Sequence, residues 1–315
     1  MSYTTLTGHT SLLALFSLPV FLAAAFFSAQ QVNADQLTSS ASVGNTPPVA
    51  SSVDIDNAAI TVHLTENATT TVTVKATITD NNGCEDIESV QVKFYRNNVG
   101  ADAADDDNNH YTVSATSDGK CTGGGADLTD TYTATISVNY YADPTDAGSV
   151  HSGTHWTAQV IPSDQTTGTA ATDTIEMSTL TALNVSGTIS YGTVGLGNNT
   201  GTTDQTATVT NTGNEGIDVD LDGYGSKDGD GNAMTCTVGS FAVGYEKYSA
   251  SANTAYASKV ALTDSATELD VDIPQRTTVV STGKVYWGLG MPDDGVNGNC
   301  SGVIVFTANS DPNLD

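Results

Sequence analysis

Thr71-Val72-Thr73-Val74-Lys75-Ala76-Thr77-Ile78-Thr79 decides the fold. Apolar residues occupy every even position and Thr or Lys every odd one. That is the period of two which places alternate side chains on opposite faces of a strand. The same pattern recurs on either side. Upstream, Ile60, Val62 and Leu64 alternate with Thr61 and His63. Downstream come Val90, Val92 and Phe94, then Tyr132 to Tyr140, then Trp156, Ala158 and Val160 up to Pro162, and finally Ile175 and Met177. Asp80-Asn81-Asn82-Gly83 and Gly123-Gly124-Gly125 are turn or loop punctuation between runs. About seven short strands in about 125 residues is the arithmetic of a β-sandwich.

A second set begins near Leu183. Leu183 and Val185 alternate, as do Ile189 and Tyr191, and Ala207 and Val209 alternate with threonines. Asn211-Thr212-Gly213-Asn214-Glu215-Gly216 reads as a chain reversal, with glycines able to take positive φ. Ile217, Val219 and Leu221 then point one way and Asp218, Asp220 and Asp222 the other. Met234, Cys236 and Val238 share a face, and so do Val285, Trp287 and Leu289, and Cys300, Gly302, Ile304, Phe306 and Ala308. No 3.6-residue stripe appears. The expected fold class is all-β, two tandem Ig-like antiparallel β-sandwiches over 53–177 and 178–309, each with one Trp at the centre of its core. Residues 310–315 form a polar tail.

Export is written at the start. Leu12 to Phe27 reads LLALFSLPVFLAAAFF, short for a membrane span of ~20 residues and interrupted by Pro19. Val32-Asn33-Ala34 offers small residues before a cut, so 1–34 reads as a signal peptide, although its first residues carry no Lys or Arg. An uncleaved anchor is the alternative. Residues 35–52 are rich in Ser, Thr and Pro and read as a flexible linker. The strand-like stretch that follows, Val53 to Leu64, pairs within its own domain on the simplest reading. Donation to the sheet edge of a neighbouring copy, giving self-assembly, is the alternative.

Charge sets the partners. The 315 residues carry 36 Asp and Glu against 9 Lys and Arg, a net charge of −27. Nucleic acid is excluded, because nine scattered cations form no patch, and an anionic membrane surface is disfavoured for the same reason. Only 14% of residues are charged, so the chain is not a disordered polyampholyte. Four cysteines, none in C-x-x-C spacing, fall two to each half. The domain split therefore pairs Cys84 with Cys121 and Cys236 with Cys300, the second on apolar strand faces that suit a bridge inside the core or between sheets.

Asn45-Thr46-Pro47-Pro48, the stretch Thr71 to Arg96, Trp156-Thr157-Ala158-Gln159-Val160 with Asp164, and the hairpin Ala207 to Leu221 resemble the Ig-like and cadherin-like modules of secreted bacterial and archaeal surface proteins. The resemblance covers most of the chain after the leader. It implies a sandwich fold and a surface setting, and no particular chemistry.

Among possible sites, calcium leads, because hard cations take oxygen ligands from acidic loops. Asp228-Gly229-Asp230-Gly231-Asn232, with Asp222 nearby, has D-x-D-x-N spacing, but Ala233 and Gly239 stand where an EF-hand needs Gly and Glu. Asp222, Asp228, Asp230 and Asn232 are the candidate ligands. Asp80, Asn82, Glu85 and Asp86 form another oxygen-rich loop, as do Asp102, Asp105, Asp106 and Asp107; a plainly solvated acidic surface explains all of them equally. His151 and His155 are four apart in a Gly/Ser loop, where that spacing builds no zinc face. There is no nucleophile elbow and no P-loop or dinucleotide fingerprint. The expected function is thus a non-catalytic, secreted or cell-surface structural or adhesive protein whose partners are surface proteins, glycans or copies of itself. The alternative is a secreted carbohydrate- or calcium-binding module, and behind it a hydrolase.

Overall fold

Nine strands build the first half of the computed structural model, which describes residues 35–123 and 127–314. They are β1 (Val49–Ile55), β2 (Thr61–Val62), β3 (Thr69–Thr79), β4 (Ser89–Arg96), β5 (His110–Ser114), β6 (Thr116–Ser117), β7 (Thr129–Asn139), β8 (Trp156–Ser163) and β9 (Ala171–Met177). One sheet runs β1-β3-β7-β6 and the facing sheet β2-β9-β8-β4-β5. The alternation does the work expected of it. Val72, Val74, Ala76 and Ile78 of β3 are buried, and Ala134, Ile136 and Val138 of β7 lie beside them. Phe94 and Trp156 answer from the other sheet, their rings 4.8 Å apart, both fully buried.

The start of this sandwich departs from expectation. β1 begins at Val49, inside the stretch read as linker, and Val53 to Leu64 is not one strand. Asp56, Asn57 and Ala58 all have positive φ, turning the chain from the first sheet into the second. β2 then pairs parallel with β9, an exception to the antiparallel rule here, while β1 pairs antiparallel with β3. Ile60 is left 84% exposed by this turn, although Val62 and Leu64 are buried. Both strands belong to their own sandwich. Residues 35–44, extended and exposed, belong to a unit separate from the one that begins at Asn45. The proposed leader, 1–34, lies outside the described residues.

The second half contains β10 (Leu183–Ser186), β11 (Gln205–Asn211), β12 (Ile217–Tyr224), β13 (Asn232–Val238), β14 (Ser240–Ala242), β15 (Glu246–Ser249), β16 (Val260–Ala261), β17 (Thr267–Ile273), β18 (Thr282–Leu289), β19 (Asn297–Ser301) and β20 (Val303–Ser310). They form three antiparallel sheets, β10-β11-β18-β15-β16, β17-β12-β20 and β14-β13-β19. Trp287 is fully buried between Tyr248 and Phe306. Gly302 divides the run of alternating residues that begins at Cys300: a Cβ there would stand 1.9 Å from the Ala233 carbonyl oxygen. The chain therefore leaves one small sheet as β19 and enters another as β20. Ile189 and Tyr191 lie on an unpaired strap, and Val238, beyond a bulge, is 57% exposed.

Both disulfides are present, Cys84–Cys121 and Cys236–Cys300. The second joins directly paired residues of β13 and β19 within one sheet, with Cα atoms 3.9 Å apart, so it spans neither core nor sheets. Among the described residues there is no α-helix, only three 3-10 turns, and no helix long and apolar enough to cross a membrane.

Asn45–Asp315 forms one compact unit with separate apolar cores in its two halves. A polar seam joins them. The reversal after β11 is a plug: Asn214, fully buried, donates from Nδ2 to the carbonyls of Ala142 and Ser178, both at 3.0 Å, and its Oδ1 accepts from Leu180 N–H at 2.6 Å. Asn108 Nδ2 donates to Tyr141 O and Arg276 O, and Gln275 Nε2 to Tyr141 O and Asp143 Oδ1. The Arg276 guanidinium lies 4.5 Å from the Tyr141 ring centre. Thr212 Oγ1 donates to Glu66 Oε1.

Candidate metal centre

At the opposite end of β3 from the seam, the chain turns through Asp80-Asn81-Asn82-Gly83 into a single 3-10 turn, Cys84–Asp86. The Asp80 carboxylate folds back on this turn, its Oδ1 accepting from Asn82 N–H at 2.7 Å. Two backbone bonds, Asp80 N–H to Leu128 O and Cys84 N–H to Asp127 O, and the Cys84–Cys121 disulfide fix the turn to the neighbouring loop. On the facing sheet β8 ends at Ser163, and Asp164 makes a matching turn. Its Oδ1 accepts from Thr166 N–H at 2.6 Å and from the Thr166 hydroxyl at 3.0 Å. Burial pushes the Asp164 carboxyl upward in pKa, but hydrogen bonds from Thr166 and Asn45 outweigh it and hold it below the usual range.

These turns bring three carboxylates together. One oxygen from each of Asp80, Asp86 and Asp164 lies within 4.8 Å of the others. Asp80 is fully buried and Asp164 is 4% exposed, while Asp86 is half-buried. Asp80 Oδ2 and Asp164 Oδ2 have no hydrogen-bond partner. The chain enters the sandwich alongside: Thr46 N–H donates to Asn82 Oδ1, Thr169 N–H to Pro48 O, and Ala50 N–H to Thr169 O. Asp80 and Asp86 were visible in the sequence as an oxygen-rich loop. Asp164 was not, because only the pairing of β3 and β8 into facing sheets brings it there.

The sequence-favoured loop is arranged differently. Asp230 turns both oxygens onto its own backbone, accepting from the N–H groups of Gly225, Ser226, Lys227 and Asn232. Those bonds hold its carboxyl well below the usual range. Asp228 is exposed, Asn232 Nδ2 donates to Asp230 O, and Asp222 is raised in pKa by burial and by the charge of Asp228. Asp222, Asp228 and Asp230 do not form such a group of carboxylates; among the described residues the other converging acids are Asp218, Asp270 and Asp272. There the buried member, Asp218, already accepts from Val271 and Asp272 N–H through Oδ1. The 102–107 acids also disperse. Asp102 pairs with Lys93, Asp105 with buried His110, and Asp107 accepts from the Tyr141 hydroxyl.

The histidines are similarly engaged. His151 lies 3.7 Å from Asp143, which is itself paired with Arg96 at 2.8 Å, and His155 stands against Asn97. Burial raises the Asp143 carboxyl and lowers the His151 imidazole. In the second half a groove lined by Ile189, Met234, Ile304 and Phe306 reaches Glu246, whose Oε1 accepts from the Tyr191 hydroxyl at 2.7 Å. Burial pushes this carboxyl up to about 7 against the lowering effect of that bond. No signal in the sequence marked Glu246, which sits at a core position of β15.

No family model matches the chain, and no curated protein matches it. Among solved structures, one similar chain belongs to the CsuC-CsuE chaperone–tip adhesion subunit pre-assembly complex from archaic chaperone-usher Csu pili of Acinetobacter baumannii. It is 9% identical with a TM-score of 0.34, over 79% of this chain and 96% of that one. Another is the secreted serine protease VesC from Vibrio cholerae, 9% identical with a TM-score of 0.18 over 80% of this chain; the match spans 49% of the protease chain. Likenesses this distant carry no argument about what the protein does.

Proposed function

We propose that this chain is a non-catalytic structural or adhesive protein of the cell exterior, its two sandwiches acting as a stiff spacer. The observation that carries this reading is the seam. Asn214, Asn108 and Gln275 spend their amides on main-chain carbonyls of the opposite half, where a flexible tether would leave those groups to water. Interdomain motion is thereby traded for a fixed angle, which serves a spacer and gains a hydrolase nothing. Two disulfides suit an oxidising compartment. The net charge of −27 keeps such a surface soluble and repels nucleic acid.

Immunogold electron microscopy of producing cells tests the location, and small-angle scattering of the purified chain tests the stiffness. Envelope labelling and one rigid scattering profile are expected. Turnover of any polysaccharide or peptide in a hydrolase panel refutes the non-catalytic reading. A secreted binding module remains the second reading; the convergence of Asp80, Asp86 and Asp164 favours its calcium-binding form over its carbohydrate-binding one.

A further inference from the structure

We propose that Asp80, Asp86 and Asp164 bind one calcium ion, which staples the two sheets of the first sandwich at the end remote from the seam. The unpartnered oxygens point to a ligand. Asp80 Oδ2 and Asp164 Oδ2 are buried carboxylate oxygens with no donor, and unlike the unpartnered Oδ2 of Asp311 they belong to acids that converge with a third carboxylate. None of the ion pairs among the described residues involves Asp80, Asp86 or Asp164. Three converging carboxylates without a cation repel one another in a poorly hydrated site, and a divalent ion removes both the repulsion and the desolvation penalty.

The donor set selects the class of ion. Three carboxylates suit a hard divalent cation, and calcium accepts the irregular cage of two fixed turns and one half-buried acid, where magnesium demands a near-ideal octahedron. The site is also prepared in advance. Asp80 and Asp164 each use Oδ1 in a turn of their own, which fixes the direction of Oδ2, and the Cys84–Cys121 bridge anchors the turn bearing Asp86. Half-buried Asp86 leaves a path from solvent, by which water completes the coordination that three carboxylates leave open. Asp80 follows β3 and Asp164 follows β8, so the ion ties one sheet to the other where no disulfide does.

The experiment is calorimetric titration of the full chain, stripped with EDTA, against calcium chloride and magnesium chloride, with thermal melts in parallel. The expected result is one calcium per chain, bound at least tenfold tighter than magnesium. At calcium 100-fold above its dissociation constant, the unfolding equilibrium constant falls about 100-fold. Asp80→Asn and Asp164→Asn abolish the heat, and exposed Asp228→Asn leaves it intact. Should either buried variant fail to fold, Asp86→Asn, at the half-buried position, is expected to fold and to weaken calcium at least tenfold. Identical melts in EDTA and calcium with no heat overturn the site. Calcium binding unchanged in Asp86→Asn and Asp164→Asn, or lost in Asp228→Asn, overturns the assignment of ligands. Equal affinity for magnesium overturns the choice of ion.

Discussion

Replacing Asn214 by Ala removes the plug of the seam and nothing else of size. Three hydrogen bonds vanish: two from Nδ2 to the carbonyls of Ala142 and Ser178, and one into Oδ1 from Leu180 N–H. Each is worth about 1 kcal/mol net, and a buried group left without a partner costs about 1–3 kcal/mol. Asn214 is fully buried. Partial refilling by water offsets some of this, so the expected loss is about 3–5 kcal/mol. In a unit of this size that is roughly 2 °C of melting temperature per kcal/mol, or roughly 6–10 °C in all. Urea unfolding measures the energy. Trp156 and Trp287 provide one fluorophore for each core, so variants retaining a single Trp report the halves separately. The two midpoints are expected to coincide in the parent and to diverge in Asn214→Ala. A loss below about 1 kcal/mol with coincident midpoints would refute the argument that the seam's amides hold the halves together. Asn214→Asp sharpens the test. It keeps the acceptor for Leu180 but sets an oxygen against two carbonyls, and should be worse than Ala above the carboxyl's pKa.

Glu246 gives a pH dependence with a definite sign. Its folded pKa of about 7 lies above the unfolded value, so its contribution is complete below about pH 4.5 and is lost as pH rises through 7. The ionised form costs about 3 kcal/mol, so Glu246→Gln should raise the urea midpoint at pH 8 and leave it nearly unchanged at pH 4.5. Removing the disulfides by Cys→Ser pairs should cost about 3.8 kcal/mol for Cys84–Cys121 and about 4.3 kcal/mol for Cys236–Cys300 from loop entropy. The larger value follows the longer loop, 64 residues against 37, and a reversed ranking in chemical denaturation would reject chain entropy as the dominant effect. Lys259, buried and 2.8 Å from Asp204, should lose about 3–5 kcal/mol on conversion to Met, with much of it regained when Asp204→Leu is added. Thermal melts of the single and double variants decide that point.

The β-character was legible because alternation is a local property. Val72 to Ile78 and Ala134 to Val138 need no partner to announce a two-faced strand, and both Trp residues fell at core centres as read. Local rules failed where the partner mattered. Asn211 to Gly216 has the composition of any hairpin turn, and nothing in it says that Asn214 fills a hole in another sandwich. The D-x-D-x-N spacing at 228–232 suggested calcium, yet small spacings favour backbone capping just as strongly, and Asp230 caps. Asp164 joins Asp80 only after two sheets are stacked. Gly302 reads as one more residue of an alternating run until the Ala233 carbonyl is seen against it.

The seam also governs how this protein responds to force. Asp311 N–H donates to Gly216 O, two residues beyond Asn214, so the chain following β20 returns to the joint. Asn45 enters at the other end of the first sandwich, between the Asp80 and Asp164 turns. Tension applied between Asn45 and Asp311 therefore crosses the first sandwich and the joint. β1 meets it in shear along its ladder with β3. Strands of the second sandwich beyond the joint lie outside that line and carry none of the load.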